Sequence, residues 1–275
     1  MFGWGTSDFL GGVFSRKTGH LLTLFWMQVA GFLISSIYFL INFKSFDFSQ
    51  VIRFIPILAL CGFLEAIAYL FFFKGLEKGQ ISLVSPIGSS WPVLTLILGM
   101  IFLKEILLAH QIVAVILIIS GVLLASINIE EIRQGKLTSS KGTKEGFLAM
   151  AGWGILFFLL TAPSRALGWF LSIFIIRFFA ILFLIPFFIN KTFYPSTDRR
   201  FYLIIFSIIG FIDVISFLAY TFGIQIEQVS IVAPLVAPFP LVTIILARIF
   251  LKERLTLNQV IGIVGALVGL ILISI

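Results

Sequence analysis

Apolar residues dominate ten long stretches of this chain, and short polar or Gly/Pro-marked breaks separate them. The stretches are, roughly, residues 1–15, 20–42, 54–74, 80–103, 107–127, 146–164, 168–190, 201–223, 229–250 and 256–275. Most of them reach the ~20 residues that a helix needs to cross ~30 Å of hydrocarbon. No stretch alternates with the period of two that a membrane barrel requires. The pattern predicts an all-α membrane protein with ten transmembrane helices.

The pattern of the second half repeats that of the first. Residues 62–127 align with residues 210–275 without a gap at a spacing of 148, with 24 of 66 positions identical. A second register, with a spacing of 149, places Trp4 on Trp153. This is an internal duplication.

The duplication predicts the domain organisation. The first five-helix repeat covers residues 1–127 and the second covers 146–275, joined by a polar linker, residues 128–145. Five is an odd number, so the second repeat must enter the membrane from the opposite face. Two inverted five-helix repeats support alternating access around a site at the membrane midplane. Transport is therefore the leading hypothesis.

Sequence motifs add a family resemblance. The stretch from Trp4 to Phe9 reads WGTSDF, and each repeat places two prolines six residues apart before an FLKE turn. With its two five-helix copies, the chain resembles the EamA-like transporters of the drug/metabolite transporter superfamily. The resemblance implies a central cavity lined by both halves and export of amino acids, metabolites or drugs. Gln28, which aligns with Arg177, departs from the family, which often has arginine at both places.

Basic residues give two answers about orientation. Loops after odd-numbered helices carry 14 Lys and Arg residues, whereas loops after even-numbered helices carry 4. The positive-inside rule would place the odd loops in the cytoplasm and both termini outside. The family resemblance implies cytoplasmic termini, so the sequence leaves the orientation open.

Two acids lie deep inside predicted helices. Glu65 is about 11 residues into helix 3, and Asp213, its equivalent, is about 12 residues into helix 8. A charge at this depth costs at least ~2.5 kcal/mol and needs a partner, a wet cavity or a proton. Helical spacing puts Tyr69 on the face of Glu65 and Tyr220 on the face of Asp213. We predict cavity-facing carboxylates that bind an amine or exchange a proton; the alternative is an internal salt bridge to Arg177.

Other polar and aromatic residues extend the candidate site. Arg177 is the single basic residue well inside a predicted span. Its guanidinium either holds a substrate carboxylate or neutralises a deep acid. Asp8 shares a helix face with Trp4, and Trp153 is the equivalent of Trp4. These groups are predicted to line a cavity for an aromatic or amphipathic metabolite, although tryptophans of an interfacial belt would look the same.

Prolines interrupt the fourth helix of each repeat. They are Pro86 and Pro92 in the first repeat and Pro234 and Pro240 in the second. Proline removes a backbone donor and kinks a helix, which is tolerated only against protein or water. Broken helices at equivalent places predict gating of a transport site. Ordinary kink packing is the alternative.

Composition excludes other classes of protein. The chain is 60% hydrophobic and 11% charged, against about 25% charged residues in soluble domains. Its net charge is +7, but the basic residues sit singly at helix ends and form no patch for nucleic acid. The lone Cys61 and two histidines provide no metal-ligand spacing, and no phosphate loop or nucleophile motif is present. We predict no metal, no cofactor and no enzyme activity.

Some features concern packing and helix ends. Gly262, Gly265 and Gly269 form a small-residue stripe on the last helix, which either packs inside the bundle or mediates a homodimer. Lys104-Glu105 and Lys252-Glu253 are expected to snorkel at the interface and to pair with each other. The first helix is short, so we expect the native chain to start upstream.

Together these features predict a multi-pass exporter of small organic metabolites in the cytoplasmic membrane, with a bacterial source implied by the resemblance. Its partners are the lipid bilayer and a small-molecule substrate, and the chain acts as a monomer or homodimer. The alternative is a non-transporting membrane scaffold or lipid-handling subunit, in which Glu65 and Asp213 would be paired and dispensable. Substrate, direction and ion coupling stay open.

Overall fold

The fold is entirely helical wherever the structure describes it. The computed structural model describes residues 1–78, 81–126, 142–188, 198–251 and 256–273. These ranges contain α-helices, two short 3-10 segments and no strand. The predicted all-helical fold is therefore confirmed. Most of the predicted linker, residues 128–145, lies outside the described residues.

The two repeats contribute their helices in the same order, except that the first helix of the second repeat is divided in two at Leu160. In the first repeat they are α1 (Phe2–Thr18), α2 (His20–Ile41), α3 (Val51–Lys78), α4 (Ile81–Gly88), α5 (Trp91–Phe102) and α6 (Ala109–Ser126). In the second they are α7 (Thr143–Leu159), α8 (Thr161–Leu167), α9 (Trp169–Leu184), α10 (Arg199–Ile226), α11 (Val229–Val236), α12 (Phe239–Leu251) and α13 (Leu257–Ile273). Helix α7 begins three residues before the predicted start of the second repeat.

Several helices are long and apolar enough to cross a membrane. Within the described ranges, the candidate spans number six: His20–Ile41, Val51–Lys78, Thr143–Leu167, Trp169–Phe187, Arg199–Ile226 and Val229–Leu246. Shorter apolar helices are Trp91–Phe102, Ala109–Leu124 and Val260–Ile273. The lengths support a multi-pass membrane protein, whereas the count of ten spans stays a prediction. One reason why fewer than ten candidate spans are found is a helix break, which divides the fourth apolar stretch of the first repeat into two short helices.

The same break occurs in both repeats. It falls at Ser89–Ser90 between α4 and α5, and at Ala237–Pro238 between α11 and α12. The motif prolines lie on both sides of it, with Pro86 in α4, Pro92 at the second position of α5, Pro234 in α11 and Pro240 at the second position of α12. A proline suits the first turn of a helix, because the N–H groups there lack intrahelical acceptors.

Glycine is required where the first and second helices of each repeat connect. Gly19 lies between α1 and α2 with φ +86°, and Gly168 lies between α8 and α9 with φ +85°. Residues with a side chain rarely adopt this backbone conformation. The positions are 149 residues apart, so both repeats make this connection in the same way.

The two repeats pack through equivalent pairs of helices. Helix α1 packs against α10 and α12, and its equivalent α7 packs against α3 and α5. Helix α6 packs against α13, which ends the second repeat. Backbones come close in this last pair, because Gly121 of α6 meets Ala266 and Gly262 of α13. The glycine stripe therefore packs inside the bundle, and the oligomeric state stays a prediction.

The predicted pairing of Lys104 with Glu105 is wrong. The Glu105 carboxylate accepts hydrogen bonds from the backbone N–H groups of Val229 (3.2 Å) and Ser230 (2.9 Å), at the start of α11. Those N–H groups lack intrahelical acceptors, and a carboxylate is favoured at the positive end of a helix. An exposed neighbouring lysine offers much less. Lys252-Glu253 lies outside the described residues.

We expect Glu105→Gln to lower the free energy of unfolding by about 1 kcal/mol, because it removes a charged cap from α11. Arg165 contributes little, since its nitrogen lies 3.6 Å from the carboxylate and its side chain is 42% exposed. The unfolding temperature in detergent micelles should fall by roughly 2–4 °C. Lys104→Gln is the matched control and should leave it unchanged. Equal losses in both variants would contradict the capping role.

Candidate functional site

A buried polar cluster lies between α2, α3, α9 and α10. Arg177 of α9 contacts Asp213 through Nη2 and Oδ2, and Gln28 through Nη1 and Oε1. Gln28 Nε2 in turn donates to Glu65 Oε1 at 3.0 Å. The same glutamate oxygen lies 3.5 Å from Arg177 Nη1. All four residues are fully buried, and one guanidinium therefore serves both deep acids.

This arrangement corresponds to the internal salt bridge that the sequence left as an alternative. A buried carboxylate without a partner costs far more than a paired one, so the two acids converge on the basic side chain within reach. A small cavity with a largely aromatic lining lies beside the cluster, and Glu65, Asp213 and Arg177 do not line it. Direct contact of these three residues with a substrate stays a prediction.

Tyr69 connects the cluster to the other repeat. Its Oη donates to Asp213 Oδ1 at 2.6 Å, although it shares a helix face with Glu65. Phe217, the equivalent of Tyr69, lies under the guanidinium, with Arg177 Cζ 4.9 Å from its ring centroid. The ring face attracts the cation through its quadrupole. The cluster thus holds Tyr69 and Phe217 in place.

Those two rings belong to the wall of a central cavity of about 20 Å³. The residues that line it are Trp4, Asp8, Tyr69, Trp91, Trp153, Phe157, Phe217 and Phe239. The volume is enough for about one water molecule. The cavity is therefore too small for a metabolite in this conformation.

The lining residues are related in pairs by the internal repeat. At a spacing of 149 residues, Trp4 corresponds to Trp153 and Asp8 to Phe157; at 148 residues, Tyr69 corresponds to Phe217 and Trp91 to Phe239. Each repeat therefore supplies the same four positions, and the cavity lies where the repeats meet.

The contacts between the repeats show the same symmetry. Trp4 packs edge-on against Phe217, with ring centroids 5.2 Å apart and planes at 88°. The equivalent pair, Trp153 and Tyr69, is 5.0 Å apart at 83°. Edge-to-face geometry is favourable for aromatic pairs. Each tryptophan thus packs on a helix of the opposite repeat: Trp4 on α10 and Trp153 on α3.

The helix breaks bring two further aromatic residues to the cavity. Trp91 and Phe239 are the first residues of α5 and α12, directly after the breaks. Trp91 stacks on Phe157 at a centroid distance of 4.0 Å. An unbroken helix would carry its ladder of hydrogen bonds through this point. The proline-marked breaks therefore lie directly beside the cavity wall.

Sequence reasoning found half of the cavity. Of the candidate residues, Trp4, Asp8, Tyr69 and Trp153 line it, whereas Tyr220 lies behind Trp4 at a centroid distance of 5.8 Å. The lining residues it missed are Trp91, Phe157, Phe217 and Phe239. A signal for Phe157 and Phe217 was available, because they are the repeat equivalents of two named residues. Trp91 and Phe239 precede the second motif proline of each repeat.

Comparison with known families decides the class of the protein. The sequence profile of the EamA-like transporter family matches residues 1–127 and again residues 142–275. The chain belongs to the EamA-like transporter family. Both repeats of this EamA-like protein thus carry the family pattern. Membership, together with the apolar helices, identifies a multi-pass membrane protein of a transporter family in the drug/metabolite transporter superfamily.

Two individual proteins are similar to this EamA-like chain. An uncharacterized protein of Methanocaldococcus jannaschii is 40% identical over 65 residues, which cover 24% of this chain and 47% of that protein. The match thus spans about half the length of that relative. A protein of known crystal structure aligns with 100% of this chain and 97% of its own, at 13% identity and a TM-score of 0.70. This likeness shows that the two proteins share a fold.

Proposed function

We propose that this EamA-like protein exports small organic metabolites by alternating access around the aromatic cavity, in a ten-helix arrangement of two inverted repeats. The observation that carries the proposal is the lining of the cavity by four repeat-related pairs. Inverted repeats present equivalent structures to the two sides of a membrane, and their binding sites lie at the repeat interface. A cavity built equally by both repeats meets that requirement.

The small volume of the cavity implies a conformational step. A volume of about 20 Å³ excludes a metabolite, so binding requires the walls to separate. The breaks at Ser89–Ser90 and Ala237–Pro238 interrupt the helical hydrogen bonds of the backbone, and proline-marked points of this kind are where helices change direction. We assign the gating role to these breaks and to the prolines beside them. The polar cluster positions Tyr69 and Phe217 during this motion.

The test is efflux from proteoliposomes preloaded with amino acids, sugars and amphipathic amines, followed by mass spectrometry. We expect the wild-type protein to release one class selectively. Trp153→Ala should reduce that efflux by roughly tenfold or more, since it removes part of the cavity wall and two ring contacts, with Tyr69 and Phe72, worth about 1 kcal/mol each. Trp169→Ala is the matched control, because Trp169 packs against Tyr38 and Phe170 outside the cavity.

The salt-bridged acids favour one second candidate, a membrane scaffold or lipid-handling subunit. In such a protein Glu65 and Asp213 would serve only to stabilise the bundle. The absence of protein-dependent efflux for every solute class, in protein that is folded and monodisperse, would support this candidate. Selective efflux that Trp153→Ala abolishes and Trp169→Ala preserves would exclude it.

A further inference from the structure

Asp8 differs from the other buried acids of the chain. Its side chain lines the cavity, and the residue is only 7% exposed. Glu65 and Asp213 share Arg177, but no hydrogen bond or ion pair to the Asp8 carboxylate exists among the residues that the structure describes. A carboxylate buried without a partner is costly. Its position at the cavity suggests that the partner is a ligand.

The surroundings of Asp8 indicate the charge of that ligand. Every other described residue that lines the cavity is aromatic, and three of them are tryptophans: Trp4, Trp91 and Trp153. Aromatic faces carry a negative quadrupole that attracts cations, most strongly in tryptophan. An anion would be repelled by both the rings and the carboxylate. The cavity therefore combines a counter-ion with an aromatic cage.

The internal repeat shows how many charged residues line the cavity. Three of the four lining pairs are aromatic in both repeats, whereas Asp8 corresponds to Phe157. The cavity thus contains one carboxylate, which neutralises one positive charge. The remaining surface is apolar and suits a hydrocarbon or aromatic body.

Other charges near the cavity do not change this conclusion. The Arg177 side chain is committed to Asp213 and Glu65 and does not line the cavity. At the break, the start of α5 adjoins the end of α4. Opposite ends of two helix dipoles therefore lie together, and their effects on an ion largely cancel.

We infer that the cavity binds an organic monocation with an apolar or aromatic body, with Asp8 as its counter-ion and the three tryptophans as its cage. This inference rests on the proposed function for the opening of the cavity and names the class of its substrate: an alkylammonium or arylalkylammonium ion. A zwitterionic amino acid would leave its carboxylate without a partner in this cavity.

Equilibrium binding to the purified full-length protein in detergent tests the inference. The probe is benzyltrimethylammonium, compared with its uncharged isostere neopentylbenzene and with phenylacetate. Three of the five tryptophans line the cavity, so tryptophan fluorescence reports occupancy, and calorimetry gives the affinity. We expect the cation alone to bind measurably. Equal affinity for the neutral isostere, or preference for the anion, would overturn the inference.

Variants of Asp8 identify the counter-ion. Asp8→Asn should weaken binding of the cation by roughly 30-fold or more, because it removes one partner of a desolvated charge pair. Asp8→Glu should retain part of the affinity, and Asp47→Asn, in an exposed loop, should retain all of it. Unchanged affinity in a folded Asp8→Asn protein would remove Asp8 from the site. If that variant does not fold, the wild-type preference between cation and neutral isostere decides.

The efflux experiment separates this inference from the proposed function. Efflux of neutral or anionic solutes that Asp8→Asn leaves intact would overturn the cation site while preserving the transporter. Selective binding of the cation without efflux of any solute would overturn transport while preserving the site. Efflux of amines that Asp8→Asn abolishes would support both.

Discussion

Replacing Arg177 by methionine is expected to lower the unfolding temperature of this EamA-like protein by about 10 °C. Methionine keeps an unbranched apolar stem but has no charge, so Glu65 and Asp213 would remain buried without their shared partner. Removal of one partner from a buried ion pair typically costs about 3–5 kcal/mol. For a chain of this size, 1 kcal/mol corresponds to roughly 2–4 °C. Thermal unfolding in detergent micelles, followed by tryptophan fluorescence, measures the change.

Neutralising the acids tests whether charge is the cause. The triple variant Arg177→Met/Glu65→Gln/Asp213→Asn leaves no unpaired charge in the cluster and should recover much of the lost stability. Arg200→Met, at an exposed position of α10, should unfold like the wild type. An Arg177→Met protein that melts within about 2 °C of the wild type would show that the cluster does not stabilise the fold.

Gly121→Ala is expected to separate the last helices of the two repeats. A Cβ atom at Gly121 would lie 2.5 Å from Ala266 N and 2.6 Å from Gly262 O. Both are backbone atoms, so α6 and α13 would have to move apart along their contact. Overpacking of this kind costs about 1–3 kcal/mol, occasionally more. We expect a fall of roughly 5 °C or more in the unfolding temperature, or loss of folded protein.

Gly265 provides a control in the same interface. A Cβ atom there would meet only Gly121 Cα, at the ordinary contact distance of 3.9 Å. Gly265→Ala should therefore leave stability unchanged or raise it by up to about 1 kcal/mol, since alanine favours the helix. Similar destabilisation by both substitutions would mean that the close approach of the two helices is not the cause.

Local patterns were sufficient for the architecture. The apolar stretches predicted helices because, in lipid, the backbone N–H and C=O groups of each stretch must hydrogen-bond within that stretch. The alignment of the repeats placed Asp213 on Glu65 and Trp153 on Trp4 before any contact was known. The same alignment predicted that both fourth helices would be broken at equivalent points.

The site was harder to predict, because it depends on contacts between repeats. Spacing along α3 places Tyr69 on the face of Glu65, yet its hydroxyl bonds to Asp213 of α10. The sequence neighbour Lys104 suggested a partner for Glu105, whereas the start of α11 supplies it. Helical periodicity determines which side chains share a face, but it contains no information about the helix opposite.

By itself, the sequence determined that this protein is a helical membrane protein, duplicated and of the EamA-like transporter family, because those properties follow from hydrophobicity, periodicity and motifs read along one chain. The tertiary structure alone decided that Arg177 serves both deep acids, whereas Asp8 is left within the aromatic cavity. Which acid is paired depends on how α2, α3, α9 and α10 cross. The crossing angles of these helices are set by side-chain packing between the repeats. That packing joins residues far apart along the chain, so local sequence patterns do not predict it.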